Sequence, residues 1–453
     1  MAIAPGSAEI ALNRFGLGAR SGELRPVGRD PRGWLTSQLS LDRDADEGST
    51  SLPTSADALA RFFEMKELRK SAASVDPKVV PDFSLQRELF RNEVAAHVKI
   101  AVTTDKPFQE RLVWFWANHF TVSAQNKVIV LPAAGAFVRE AIRPHVLGSF
   151  GDMLRAVEQH PATLLYLDNA QSVGPESFGG RLRDKGLNEN LAREVLELHT
   201  VGVDAGYTQA DVTSFAKILT GWSIVGPRAR QGDKGTFRYD PRIHEPGPQT
   251  VLGKTYRDNG LAQGQAVLDD LAHHSATAHH LAVKLARHFV ADDPPPSVVA
   301  RVAETYRRHG GALKPVYEAL VADNESWATP LTKLKTPEEF LVSILRGLNV
   351  TDVDKLKSPE ILTVMGQRPF FAPSPQGWPD QAAAWAGPEA IKVRLDYANQ
   401  VALRAGSRVD ATVLAADILG SNLQSRTRES LTRASSPVQA MTLLLMSPEF
   451  QRR

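Results

Sequence analysis

The sequence predicts an all-α fold, a large multi-helix globular body with one short β-hairpin insertion. Apolar residues recur at helical spacing along nearly the whole chain, and alternating strand patterns are scarce. No internal repeat of fixed period marks a solenoid. With 453 residues, 42% hydrophobic and 23% charged, the chain has material for a sizeable core without metal or disulfide staples. Residues 1–453 read as a single large helical domain.

Periodicity places helices over 7–15, 30–39, 55–73 and 85–102, then over 108–118, a very apolar run holding Trp114, Phe115 and Trp116. It continues through 133–142, 149–158, 161–167, 189–200 and 209–220. The second half adds 259–272, 275–289, 296–308, 313–322, 337–348 and 358–366, followed by 388–404, 411–419, 426–433 and 437–446. Two regions break the pattern. Residues 42–54 are acidic and rich in Ser, Asp and Thr, as expected of a mobile loop. Within the 224–258 insertion, "GTFRYDPRIHEPGPQTVLGKTY" (235–256) alternates as a short β-hairpin, with Pro-Gly-Pro at 246–248 in its loop.

Charge and composition exclude several classes. A formal net charge of +2 and the lack of a long basic run give nucleic acid little to hold. The Lys and Arg residues of 228–238 are interrupted by Gly and Asp, as in a solvated loop. The absence of cysteine removes disulfides, thiolate metal sites and cysteine nucleophiles together. No stretch reaches the ~18 apolar residues of a membrane span, so membrane insertion is not expected. The first residues lack a basic segment followed by an apolar run, so the chain reads as cytoplasmic, with export alongside a partner as the other route.

The stretch with most chemistry is "LNENLAREVLELHTVG" (187–202). On a helix Asn190, Arg193, Glu194 and Glu197 share one stripe, while Leu191, Val195 and Leu198 turn elsewhere. A surface helix laced with ion pairs has this pattern, and so does the wall of a cleft. Thr208 and Asp211 in "GYTQADV" form a capping-box pattern for the next helix, and Gly202 and Gly206 bracket a tight connection. Upstream, "HPATLLYLDNAQS" delivers Asp168, Asn169 and Gln171 at a helix end, where functional groups often sit. "WFWANHFTVS" places Asn118 and His119 after an aromatic run; such a histidine is ordinarily a satisfied core residue. His244 in "RIHEPGPQ" fits packing less well, with turn capping as its plain role.

Spacing tests these residues against known chemistry. Helical metal sites use Glu-x-x-His, but here Glu194-x-x-Glu197 is followed by His199 about 200° around. His274 and His280 are six apart, which is no ligand spacing on a straight helix. His244 with Glu194 and Glu197 would make an oxygen-rich site only through tertiary structure, so a metal stays open. Glycoside cleavage needs two carboxyls flanking the bond. Glu194 and Glu197 share a face, so Asp168 opposite one of them is the better acid–base pair. No G-x-S-x-G elbow or phosphate-cradling loop is present. "RFGLGAR" (14–20) lacks a preceding strand and reads as a helix C-terminal turn.

Several stretches together resemble a known family across nearly the whole chain. They are "LNRFGLGAR" (12–20), "ERLVWFWANHFTVS" (110–123), "HPATLLYLDNAQS" (160–172) and "NENLAREVLELHTVGVDAGYTQADV" (188–212). "TGW" (220–222), "HEPGPQTVLGKTY" (244–256), "KTPEEF" (335–340) and "PSPQGWPD" (373–380) complete them. The family is the bacterial domain of unknown function 1800. The resemblance implies a helical protein encoded beside a second family, domain of unknown function 1501, which is similar to sulfatases and often carries an export signal. That pairing points to envelope or exopolysaccharide work by association. Relatives often carry an aromatic residue where this chain has His199, which turns attention to Asn190, Arg193, Glu194 and Glu197.

Two readings follow. In the first, the chain is a hydrolase or lyase acting on an envelope or exopolysaccharide-type polymer through a carboxylate-rich cleft. Glu194, Glu197 and Asp168 are its catalytic candidates, and Asn190, Arg193, Asn169, His119 and His244 its substrate-binding candidates. Trp114, Trp116, Trp222 and Trp378 are candidates for sugar-stacking faces. Arg193 is expected to be buried beside a carboxylate, so that its removal would unfold or inactivate the protein. In the second, the chain is a non-catalytic binding partner of the exported sulfatase-like protein of the 1501 family.

Overall fold

The computed structural model describes residues 6–40, 52–75, 84–182, 186–229, 231–328, 330–353 and 355–453. The chain is mostly helical, and the described strands form two separate two-stranded antiparallel sheets. The expected mobile loop at 42–54 falls outside the described residues apart from 52–54.

Local chemistry explains where many helices begin. Proline stands in the first turn of Pro31–Ser37, Pro107–His119, Pro161–Tyr166, Pro296–Arg308, Pro337–Gly347, Pro388–Ala405 and Pro437–Met446. There its missing N–H costs nothing and its fixed φ suits the helix. Side-chain caps add to this. Asp30 accepts from the Gly33 N–H, Ser149 from Asp152 and Ser436 from Gln439. The capping box expected at Thr208 and Asp211 opens Gln209–Leu219, and a second, Thr336 with Glu339, opens Pro337–Gly347. Gly202 and Gly206 adopt φ of 88° and 79° in the connection before Gln209, which a Cβ would strain.

The β-hairpin differs in detail from its sequence expectation. Gln249–Val251 pairs with Lys254–Tyr256, and the turn is Leu252-Gly253, both at positive φ. That is the geometry a two-residue hairpin requires. Pro246-Gly247-Pro248 therefore precedes the hairpin rather than forming its loop. A second pair, Trp222–Ile224 with Phe237–Tyr239, takes Phe237 and Arg238 out of the expected 228–238 loop and makes them strand residues.

Buried apolar side chains form one continuous cluster drawn from residues as distant in sequence as Ala8 and Phe450. Ser275–Phe289 packs on Pro296–Arg308, which packs on Leu313–Ala322. Most relevant to function is the antiparallel meeting of Pro107–His119 with Ser275–Phe289. Phe108 meets Phe289 at one end (centroids 5.7 Å), Phe115 meets His288 (5.4 Å), and His119 meets His280 at the other end (6.3 Å). No helix among the described residues is long and apolar enough to cross a membrane.

Candidate active site

The 190–199 segment begins as an α-helix, Asn190–Glu194, and continues as a π-helical turn, Val195–His199. Such turns are rare and occur often at functional sites. Leu191 and Val195 are fully buried as expected, joined by Ala192 and Leu196, whereas Leu198 is only half-buried. The polar face divides into two parts.

Arg193 is on the outer part. Its side chain is 37% exposed and reaches Glu189 at 3.3 Å and Glu197 at 3.4 Å, with Gln209 at 2.9 Å. This is a surface ladder of i,i+4 pairs. The burial expected of Arg193 is not met, because the Gln209–Leu219 helix approaches the segment without covering its guanidinium.

Glu194 is on the inner part. With Asn190 it lines a recess of about 260 Å³, together with Gln125, Asn126, Lys127 and Tyr166. Burial raises the Glu194 carboxyl above its ordinary value, and the nearby Glu197 and Glu158 carboxylates add to the rise against His199 and Arg193. Tyr166 is pushed up to about 12 by burial and by Glu194. Lys127 donates to the Tyr166 carbonyl and pairs with Asp168, each at 2.5 Å. Asp168 sits at φ 60°, in the left-handed region that costs a non-glycine residue energy. It stands behind Lys127, so the structure ties it to the recess without placing it in the lining. Glu197 lies outside the lining too.

The remaining candidates lie elsewhere. His119 is 1% exposed, packed among Trp116, Phe120 and His199. Burial, with the Lys284 charge second, drives its imidazole well below the ordinary value. It is the satisfied type of core histidine only in part: Nε2 meets the His199 carbonyl at 3.1 Å while Nδ1 has no partner. Asn169 is buried and donates to the Leu219 and Trp222 carbonyls at 3.1 and 2.9 Å, fastening a helix end to a strand. His244 holds the Thr220 carbonyl through Nδ1 at 2.8 Å, which is a turn-tying role. His199 is buried against Glu158, Nδ1 to Oε1 at 2.7 Å. Trp116 and Trp222 are completely enclosed and offer no face to a ligand. Among the described residues no three His, Asp or Glu side chains gather in a metal-holding group.

A second hollow, of about 130 Å³, has Trp114, Phe370 and Trp378 on its walls and His97, Glu338 and Asp380 among its polar groups. Trp114 and Trp378 are two of the sugar-stacking candidates, but the sequence did not bring them together in one hollow. Beneath it five buried or half-buried groups close a ring. Arg111 Nη2 donates to Glu339 Oε1 at 2.5 Å, and Glu339 Oε2 accepts from Arg453 Nε at 2.8 Å. Arg453 Nη2 donates to Asp380 Oδ1 at 3.0 Å, Asp380 Oδ2 meets His288 Nδ1 at 2.9 Å, and His288 Nε2 accepts from Arg111 Nε at 3.3 Å. Burial alone would raise Glu339, but Arg111 and Arg453 bring it down to about 2. Burial acts likewise on Asp380, and His288, Arg453 and Lys333 hold it far below the carboxylate range. The available signal was the i,i+4,i+8 series Arg111, Phe115, His119 and its counterpart His280, Lys284, His288. Polar groups at core spacing on two helices mark a buried network.

The fold and these two hollows define a mostly helical protein with a half-buried glutamate at one recess and a tryptophan-walled hollow over a buried charge network. The chain belongs to the family described as protein of unknown function (DUF1800), whose model matches residues 10–452. No curated protein and no solved structure matches it.

Proposed function

We propose that the protein is a hydrolase or lyase acting on an envelope or exopolysaccharide-type polymer, with Glu194 as its proton donor. The supporting observation is the half-buried Glu194 carboxyl, raised by desolvation, at the wall of a recess that also holds Asn190, Tyr166 and Lys127. A carboxyl whose hold on its proton is strengthened by burial suits a general acid. In hydrolysis the C–O bond breaks as Glu194 gives its proton to the leaving oxygen. Water then supplies hydroxide to the other fragment and returns a proton to Glu194. Lys127, fixed by Asp168, presents a cation to an anionic group on the polymer, while Asn190, Gln125 and Asn126 bond hydroxyls. Arg193 and Glu197 keep the helix in place from outside.

The test is release of new chain ends from purified neutral and anionic polysaccharides. Glu194→Gln lowers the rate about 100-fold or more, whereas Arg193→Ala keeps most of it. An unaltered rate in Glu194→Gln, or no cleavage of any polymer, defeats the reading. The second reading, a non-catalytic partner of a sulfatase-like protein of the 1501 family, draws on the exposed Leu395, Leu403 and Val413 of the late helices. Leu395 and Leu403 share the Pro388–Ala405 helix and Val413 stands on the next; a few such exposed apolar residues are ordinary, so they favour it less than the recess favours an enzyme.

A further inference from the structure

We infer that the hollow between Trp114 and Trp378 is a binding site for one neutral sugar ring. The size of the hollow, about 130 Å³, is close to that of a cavity of about 150 Å³ known to take up a benzene ring. It therefore holds a single six-membered ring and little more. Trp114, Phe370 and Trp378 give it apolar walls suited to the C–H faces of a pyranose.

Its polar edge fits hydroxyl groups. His97 Nε2 meets Glu338 Oε1 at 2.7 Å, and the two side chains are 18% and 17% exposed, so the pair is reachable from the hollow. Among the described residues no hydrogen bond occupies His97 Nδ1 or Glu338 Oε2. A carboxylate oxygen accepts from one hydroxyl and the imidazole edge serves its neighbour. His97 is held in place by stacking on Trp114 at 5.2 Å.

Charge decides in favour of a neutral ligand. Glu338, Glu339 and Asp380 all border the hollow, and their oxygens would repel an anion. Each already has a cationic or imidazole partner: His97 for Glu338, Arg111 and Arg453 for Glu339, His288 and Arg453 for Asp380. Arg111 and Arg453 match the two carboxylates of the ring, so a cation would find only the Glu338 carboxyl, which His97 already engages.

The far wall is built before any ligand arrives. Phe370 is held at φ 60°, a conformation that a bulky residue adopts only when its surroundings impose it. Its carbonyl accepts from the Ala124 N–H at 2.9 Å. Trp378 is clasped by Asn118, whose Oδ1 accepts from the Trp378 N–H at 2.7 Å and whose Nδ2 donates to the Trp378 carbonyl at 2.9 Å. Preformed walls reduce the ordering cost of binding.

The inference does not require Glu194 to be catalytic, and its test needs no turnover. Saturation-transfer NMR on the full chain uses the methyl glycosides of glucose, galactose, mannose and N-acetylglucosamine, with glucuronate and glucosamine as charged comparisons. Transfer is expected to the ring protons of at least one neutral glycoside, in the wild type and equally in Glu194→Gln. Trp378→Ala and Glu338→Gln each weaken that binding by about tenfold or more. Trp378→Phe, which keeps a stacking face, retains it within a few-fold and shows that the wall, not the fold, was lost. Three results would overturn the inference: no transfer to any neutral glycoside, transfer that Trp378→Ala and Glu338→Gln leave intact, or preference for a charged sugar.

Discussion

Nε of Arg111 lies 3.3 Å from Nε2 of His288, and a guanidinium can only donate. Nε2 is therefore an acceptor and the imidazole proton sits on Nδ1, where it is given to Asp380 at 2.9 Å. Burial, with Arg453 and Arg111 nearby, pulls His288 down to about 4 even against the pull of Asp380. His288 is thus expected to remain neutral, in the Nδ1–H tautomer, at every pH above about 5. Nitrogen-15 chemical shifts of the histidine side chains check this. A titration midpoint for His288 near the ordinary histidine value would contradict it.

Because the ring beneath the hollow is closed, removing one member strands others. In Asp380→Asn, Arg453 loses the carboxylate at 3.0 Å and is left to share Glu339 with Arg111, while Lys333, 3.8 Å from Asp380, keeps Asp292 at 2.6 Å. Breaking a buried pair leaves an uncompensated charge and costs roughly 3–5 kcal/mol. Arg193→Ala removes only partly exposed surface pairs, which are worth about 1 kcal/mol or less. Urea unfolding of the two variants side by side is the measurement, and equal losses would contradict the assignment of one to the interior and the other to the surface.

Helices were legible because their punctuation is local: Pro107, Pro337 and Pro388 at helix starts, Thr208 and Asp211 in a capping box. The hairpin register was less so, since its turn rests on Leu252 accepting positive φ beside Gly253, and leucine gives no turn signal. Arg193 looked buried because the order Asn, Arg, Glu on one helical stripe is the same for a cleft wall and a surface ladder. Only the neighbouring helix decides between them. Glu194, one residue further, did reach a recess. Of the ring of Arg111, Glu339, Arg453, Asp380 and His288, only Arg111 and His288 left a trace in the sequence, as polar residues at core spacing on their helices. The ring's hydrogen bonds join residues 73 to 228 positions apart, and pairing across such distances is set by packing.

Gly377 makes the clasp on Trp378 specific. Its φ is 83°, and an added Cβ would come within 2.5 Å of the Asn118 carbonyl oxygen. Gly377→Ala therefore strains the backbone and pushes the two segments apart, at a cost of about 1–3 kcal/mol. Asn118→Asp keeps the acceptor for the Trp378 N–H but replaces the Nδ2 donor with a second acceptor that faces the Trp378 carbonyl. Amide hydrogen exchange at 376–380 should accelerate in both variants while the distant helix Ala411–Leu419 keeps its protection. Unchanged exchange at 376–380 would mean that the clasp does not hold the wall.

Lys335 gives the fold an alkaline dependence. Its side chain is buried, with Nζ 3.3 Å from Asn13 Oδ1 and 4.5 Å from the centre of the Phe450 ring. Burial lowers the ammonium to about 7 against an ordinary 10.5, Glu339 opposing and Arg111, Arg453 and Arg394 assisting. Lys284, brought by burial to about 8, behaves alike. Between the folded and unfolded values the unfolded chain binds the proton and the folded chain does not, so stability rises with pH across that window. Each lysine contributes a slope of at most about 1.4 kcal/mol per pH unit. The unfolding free energy in urea is therefore expected to climb from about pH 7 toward the ordinary lysine value of 10.5. Lys335→Met, which fills the site without a charge, should flatten the part of the rise that begins near pH 7. A wild-type profile that is level or falling over this range, or a variant with the full slope, would show that Lys335 is charged in its buried place.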